Sequence, residues 1–157
     1  ASGLAIRPWT SLRLSTLAII DQIRGTLGAA PLLVPTAGAP GTVALMTAPD
    51  AEAGFLSLVP ADGAGGFENK AAARIALHLV RDFPGRRAAD ITAPILFAVC
   101  ETDSVAPAGP TLKYARKAPA GEIKLYPEGH FDIYVGEPFE RVITDQLDFL
   151  ARTVPTN

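Results

Sequence analysis

Residues 94–107 read PILFAVCETDSVAP, and residues 122–136 read EIKLYPEGHFDIYVG. Each stretch opens as a strand and closes as a loop. Ile95 to Cys100 is a continuous apolar run, the pattern of a strand covered on both faces inside a parallel sheet. Glu122 to Tyr126 is a second strand. Between them, Pro110 suits the first position of a helix running to about Lys117. Pro138 starts a last helix in the same way, with Phe139, Val142, Ile143, Leu147 and Leu150 as its apolar stripe. Strand, helix, strand, helix is the order of parallel α/β architecture, which carries its functional loops at the C-terminal ends of the strands.

Those two loops hold an acid and a base. Asp103 follows the first strand and His130 follows the second, with one crossover helix between. Taken singly, Asp103 reads as an Asx-turn residue and His130 as a loop histidine after Gly129. At neighbouring strand ends of one parallel sheet they read instead as a pair. A carboxylate bonded to one imidazole nitrogen fixes the tautomer and stabilises the imidazolium, leaving the other nitrogen to deprotonate a nucleophile. A metal site built from Asp103, His130 and Asp132 is the weaker reading. A catalytic zinc needs three protein ligands, and the chain has only two histidines, with His78 on a distant element.

The segment from about Ala93 to Leu150 resembles the C-terminal end of an α/β-hydrolase. Asp103, Val105 and Pro107 match that family's D-x-V-x-P-like acid loop, Gly129 and His130 match its G-H pair, and Pro138 to Arg152 matches its final helix. Upstream, RPWTSLRL (7–14) and PGTVALMTAPDA (40–51) are similar to an insertion in bacterial members. The resemblance implies an α/β fold of a particular kind: the last two strands and helices of an α/β-hydrolase parallel sheet (91–152), preceded by a mainly helical, irregular lid (1–90) and followed by a flexible tail (153–157). It implies a serine-type hydrolase acting on an ester or related acyl substrate, with Asp103 orienting His130 and no metal or cofactor. Met46 and Val105 become candidates for an apolar acyl pocket.

The departure from the family lies in the nucleophile. Its G-x-S-x-G elbow is missing, because none of Ser2, Ser11, Ser15, Ser57 and Ser104 has glycine at both flanking positions. The expected partner is therefore the N-terminal half of the same hydrolase, or a second copy, and the chain alone is expected to be inactive. The rival reading is a non-catalytic module acting in binding or assembly.

Upstream, residues 10–28 carry Leu12, Leu17, Ile20, Ile23 and Leu27 near the helical period. From Gly25 to Pro49 there is no charged residue, but Pro31, Pro35, Pro40 and Pro49, with Gly38 and Gly41, argue strongly against a membrane span. That stretch reads as irregular chain with short extended pieces at Leu32–Val34 and Val43–Met46. Asp50 is a candidate cap for a short helix through Leu58. ADGAGG (61–66) is a flexible loop without either phosphate-cradle motif. Glu68 to Phe83 is expected to be a helix with Ala72, Ile75, Ala76, Leu79 and Phe83 on one face.

Composition fits one domain of 157 residues with a core of its own. A net charge of −2 argues against nucleic acid or an anionic membrane as partner, and Arg86–Arg87 reads as a solvated turn. Apolar residues make up 48% and charged residues 19%, against about 25% charged in typical soluble domains. This slightly apolar composition suits a chain covered by other protein, and equally an Ala-rich but ordinary domain. Cys100, the only cysteine, sits in an apolar run and reads as a small buried hydrophobe. The opening ASGLAIRPW has neither Met nor the order of a signal peptide. It reads as the start of a processed or excised piece, with the cytoplasm as the expected location.

Overall fold

The computed structural model describes residues 8–60, 66–79 and 81–154. Most of the 61–66 loop, the end of the tail and the residues before Pro8 lie outside that set. The chain divides into two compact units between Phe83 and Pro84.

The first unit opens with α1 (Pro8–Thr26). Two-residue strands β1 (Leu33–Val34) and β2 (Ala71–Ala72) pair antiparallel, and short helices α2 (Ala51–Ser57) and α3 (Ile75–Leu79) complete it. Its buried apolar residues are Val34 and alanines, among them Ala18, Ala37, Ala44, Ala51 and Ala73. Two polar side chains replace the bulk that such a core lacks. Asp21 is fully buried. It accepts the Leu32 N–H at 2.7 Å, the Arg74 N–H at 2.9 Å, and the Arg74 guanidinium at 2.8 and 3.0 Å. Asn69 accepts the N–H groups of Thr36 and Ala37 and donates to the Ala37 carbonyl, pegging the uncharged stretch where Ala37 bridges Met46.

These two side chains explain where periodicity misleads. The expected inward stripe of α1 faces out: Leu12, Ile20, Ile23 and Leu27 are exposed, and Leu17 alone is half-buried. The buried face carries Ala18 and Asp21. The helix is apolar on both sides, and the acid decides which side is inside. The expected helix from Glu68 to Phe83 shrinks to α3 for a similar reason. The Ala73 N–H is taken by the Leu32 carbonyl and the Arg74 N–H by Asp21, so those groups are not free for a continuous helical ladder. The Asp50 position does begin α2, though without a side-chain capping bond.

The second unit begins with a 3-10 segment, Pro84–Asp90, followed by β3 (Ile95–Cys100), α4 (Ala108–Ala115), β4 (Gly121–Tyr126), a 3-10 turn at Asp132–Tyr134, and α5 (Gly136–Thr153). Strands β3 and β4 are parallel, in register from Ile95↔Gly121 to Cys100↔Tyr126. Among the described residues β3 pairs with β4 alone. Its last two residues are buried and the first four only half-buried, less cover than the apolar run predicts. Both helices start two residues ahead of the expected prolines, so Pro110 and Pro138 fall within the first turn, where their missing N–H costs nothing. Gly136 opens α5 with φ +59, a conformation that suits glycine.

Helix α5 is fastened to β4 by polar pairs. Glu122, Lys124 and Tyr126 alternate onto one face of the strand. Lys124 donates to Asp145 at 2.6 Å, the Tyr126 hydroxyl donates to the same carboxylate at 2.8 Å, and Arg152 pairs with Glu122 at 3.0 Å. Lys124 and the Tyr126 hydroxyl hold the Asp145 carboxyl below the usual range. Burial, then the bond to Asp145, pushes the Tyr126 hydroxyl above its ordinary value. In the predicted apolar stripe of α5, Val142 is buried and Ile143 half-buried, while Phe139, Leu147 and Leu150 are exposed. No helix among the described residues is long and apolar enough to cross a membrane.

Candidate active site

The parallel ladder continues past the strand ends. The Glu101 N–H donates to the Tyr126 carbonyl at 2.8 Å and the Thr102 N–H to the Glu128 carbonyl at 3.2 Å. Asp103 and His130 are the next groups along, and the structure brings them together: His130 Nδ1 lies 2.8 Å from Asp103 Oδ2. Asp103 is also the turn residue that its sequence position suggests. Its Oδ1 accepts the N–H groups of Val105 at 2.9 Å and Ala106 at 2.6 Å, shaping the turn before Pro107 and α4. The two roles are complementary, since the turn holds one oxygen and thereby aims the other.

The His130 ring stands edge-on to Phe131, with centroids 4.8 Å apart, and Phe131 is buried. The imidazole side chain is 27% exposed and the Asp103 side chain 10%, so the acid is covered while the base is reachable. With Nδ1 facing a carboxylate, the proton sits on Nδ1 and Nε2 is the basic nitrogen. No hydrogen bond to Nε2 is present among the described residues. The arrangement can take a proton from a group placed at Nε2 and stabilise the resulting cation.

Asp132 turns elsewhere, accepting the Gly129 N–H at 2.8 Å and closing the loop around His130. Among the described residues no group of three His, Cys, Asp or Glu side chains is arranged to hold a metal. Cys100 is buried, and its thiol is pushed up by that burial and by the charges of Asp103, Glu128 and Asp132, which makes it a poor nucleophile. Met46 is half-buried in the first unit, and Val105 is half-buried in the second, beside Asp103. His78 is exposed on α3.

Two residues that the sequence reading passes over stand beside the pair. Glu128 is buried and paired with Arg141 of α5. No local spacing points to them, since one is in a loop and the other on the polar side of a helix.

Two neighbouring parallel strands with a helix after each match the C-terminal portion of an α/β-hydrolase fold, and that is the fold of this chain. The solved structure of the α/β hydrolase GrgF from Penicillium sp. sh18 matches 94% of the chain and 50% of its own, with TM-score 0.64 and 21% identity. DcsB, solved in complex with its substrate analogue, matches 94% of the chain and 52% of its own, with TM-score 0.67 and 18% identity. In sequence, the chain is 51% identical over 155 residues to the quorum-quenching protein AidA of Acinetobacter baumannii (strain MDR-ZJ06). That match takes in 99% of the chain and 50% of AidA, so the chain spans about half the length of this relative. No family model matches.

Proposed function

We propose that this chain is the acid- and histidine-bearing part of a serine-type α/β-hydrolase acting on an ester or related acyl substrate. Asp103 orients His130. His130 Nε2 takes the proton of a serine in a G-x-S-x-G elbow and returns it to the leaving group. The observation that carries the reading is the 2.8 Å bond from His130 Nδ1 to Asp103 Oδ2 at the ends of neighbouring strands. The serine belongs to a segment outside these 157 residues: the N-terminal half of the same hydrolase, or a second copy. Two features give that segment a place to bind. The second edge of β3 has no strand partner among the described residues, and Phe139, Leu147 and Leu150 form an exposed apolar stripe on α5. The likeness to a quorum-quenching protein favours a small bacterial signal with an ester or related acyl group as substrate.

The test is hydrolysis of a 4-nitrophenyl acyl ester by a protein that joins this chain to the elbow-bearing half. Turnover that survives both Asp103→Asn and His130→Ala sinks the reading. The absence of any elbow in the sequence favours one rival, a non-catalytic module acting in binding or assembly. It gains if denaturing intact-mass analysis of the native protein finds this 16.4 kDa species alone.

A further inference from the structure

The Glu128 side chain is 9% exposed, in a loop that already holds His130 and Asp132. One oxygen, Oε1, is paired with Arg141 on α5, while Oε2 has no hydrogen-bond partner among the described residues. Such a group is costly. A buried carboxylate with an unmet oxygen loses hydration that a single ion pair does not restore. A leucine or methionine in its place fills the space without that cost. Stability does not explain the residue, but its connections do.

The peptide joining Glu128 to Gly129 is gripped on both sides. Its carbonyl accepts the Thr102 N–H, from the residue before Asp103, at 3.2 Å. Its N–H donates to Asp132 at 2.8 Å. The Glu128 side chain ties this same peptide to α5 through Arg141, whose other nitrogen bonds Glu137 at 3.1 Å. One peptide thus joins the acid loop, the histidine loop and the last helix. His130 is the next residue but one after Glu128.

We propose that Glu128 and Arg141 are positioning residues: their pairing fixes the 128–129 peptide and so sets the distance between Asp103 and His130. This rests on the reading of Asp103 and His130 as the catalytic pair. Neither Glu128 nor Arg141 touches the reacting atoms. They act through the loop, and the tether matters rather than the charge.

The experiment is proton NMR on the full 157-residue chain, following the low-field signal of the His130 Nδ1 proton. With only two histidines in the chain, His78→Gln assigns it. Arg141→Ala leaves a buried carboxylate unpaired and risks unfolding. The decisive variant therefore replaces both partners, Glu128→Met with Arg141→Met, which removes the tether without stranding a charge. The double variant is expected to melt no lower than the parent. Its Nδ1 proton should exchange roughly 10-fold faster or broaden away, the loss of about one hydrogen bond's protection. Glu128→Gln keeps an acceptor for Arg141 and should keep the signal. An unchanged exchange rate in the folded double variant overturns the inference and leaves the pair intact. Loss of the signal in Glu128→Gln overturns it as well, because charge and not tether is then at work. If the unsubstituted chain shows no such signal, the Asp103–His130 pair is not formed in solution, and the proposed function fails together with the inference.

Discussion

Each unit of this chain is built around one aspartate, and the two aspartates are held in nearly the same way. Asp21 accepts two backbone N–H groups and the guanidinium of Arg74. Asp103 accepts two backbone N–H groups and faces the imidazole of His130. Asp103 organises the turn that follows it, Asp21 ties α1 to two distant segments, and each holds a basic side chain. The difference is the base. A guanidinium stays charged throughout the accessible pH range, so the Asp21 pair is permanent and can only hold structure. An imidazole can release and take back a proton, so on the proposed reading the same hold around Asp103 positions a base. Exposure does not separate them: the Arg74 and His130 side chains are 29% and 27% exposed, and both acids are covered.

The comparison breaks most visibly at Asp103→Asn in the protein that includes the nucleophile. The side-chain oxygen of asparagine can still accept from Val105 and Ala106, so the turn survives. Its NH2 then faces His130 Nδ1, which becomes the acceptor, and the proton moves to Nε2, the atom that must act as base. The expected loss in kcat/KM is roughly 10^4-fold, with melting temperature unchanged. A variant that melts early would mean instead that Asp103, like Asp21, serves the fold first.

Asp21→Ala tests the other side. Arg74, the Leu32 N–H and the Arg74 N–H all lose their acceptor in a buried place. The first unit should unfold on its own, seen as rapid amide exchange across α1, β1 and α3, while β3, β4 and α5 keep their protection. Exchange that rises equally in both units would show that Asp21 is not specific to the first.

A milder probe of the same pair is Gly25→Ala. A Cβ at position 25 would lie 1.9 Å from a nitrogen of the Arg74 guanidinium. A free arginine would step aside at little cost, but this one is held by Asp21, so moving it loosens the pair. Exchange of the Leu32 amide should rise more than the average for the unit, with the fold retained.

What is legible in the sequence follows how local the cause is. The ends of β3 and β4, and Asp103 and His130 at their tips, are written in short apolar runs punctuated by proline and glycine. The inward face of α1 is not, because the helix is apolar on both sides and the choice rests on Arg74, 53 residues away. The early part of the expected 68–83 helix fails for the same reason: β2 and the N–H groups of Ala73 and Arg74 are claimed by Leu33, Leu32 and Asp21. Phe139, Leu147 and Leu150 read as core and lie exposed, since periodicity marks an apolar stripe without saying which chain covers it. Glu128 and Arg141 leave no trace, as an ion pair between a loop and a helix has no period.

The smallest effect, and the sharpest test of the comparison, is acid. Arg74 holds the Asp21 carboxyl well below its ordinary value of 3.8, and Lys124 with Tyr126 lowers Asp145. A lowered carboxyl binds fewer protons folded than unfolded. Its stabilisation is complete above the ordinary value and is lost as pH falls from there through the folded-state value. Between pH 7 and 5 neither group should change the stability of its unit. Below about pH 4 both units should weaken, the first more steeply because its acid is fully buried and bonded four times. Amide exchange measured separately for α1 and α5 across this range distinguishes them. A first unit that loses protection already near pH 6 would point to a titrating group other than Asp21 at its centre, and the parallel between the two aspartates would fall.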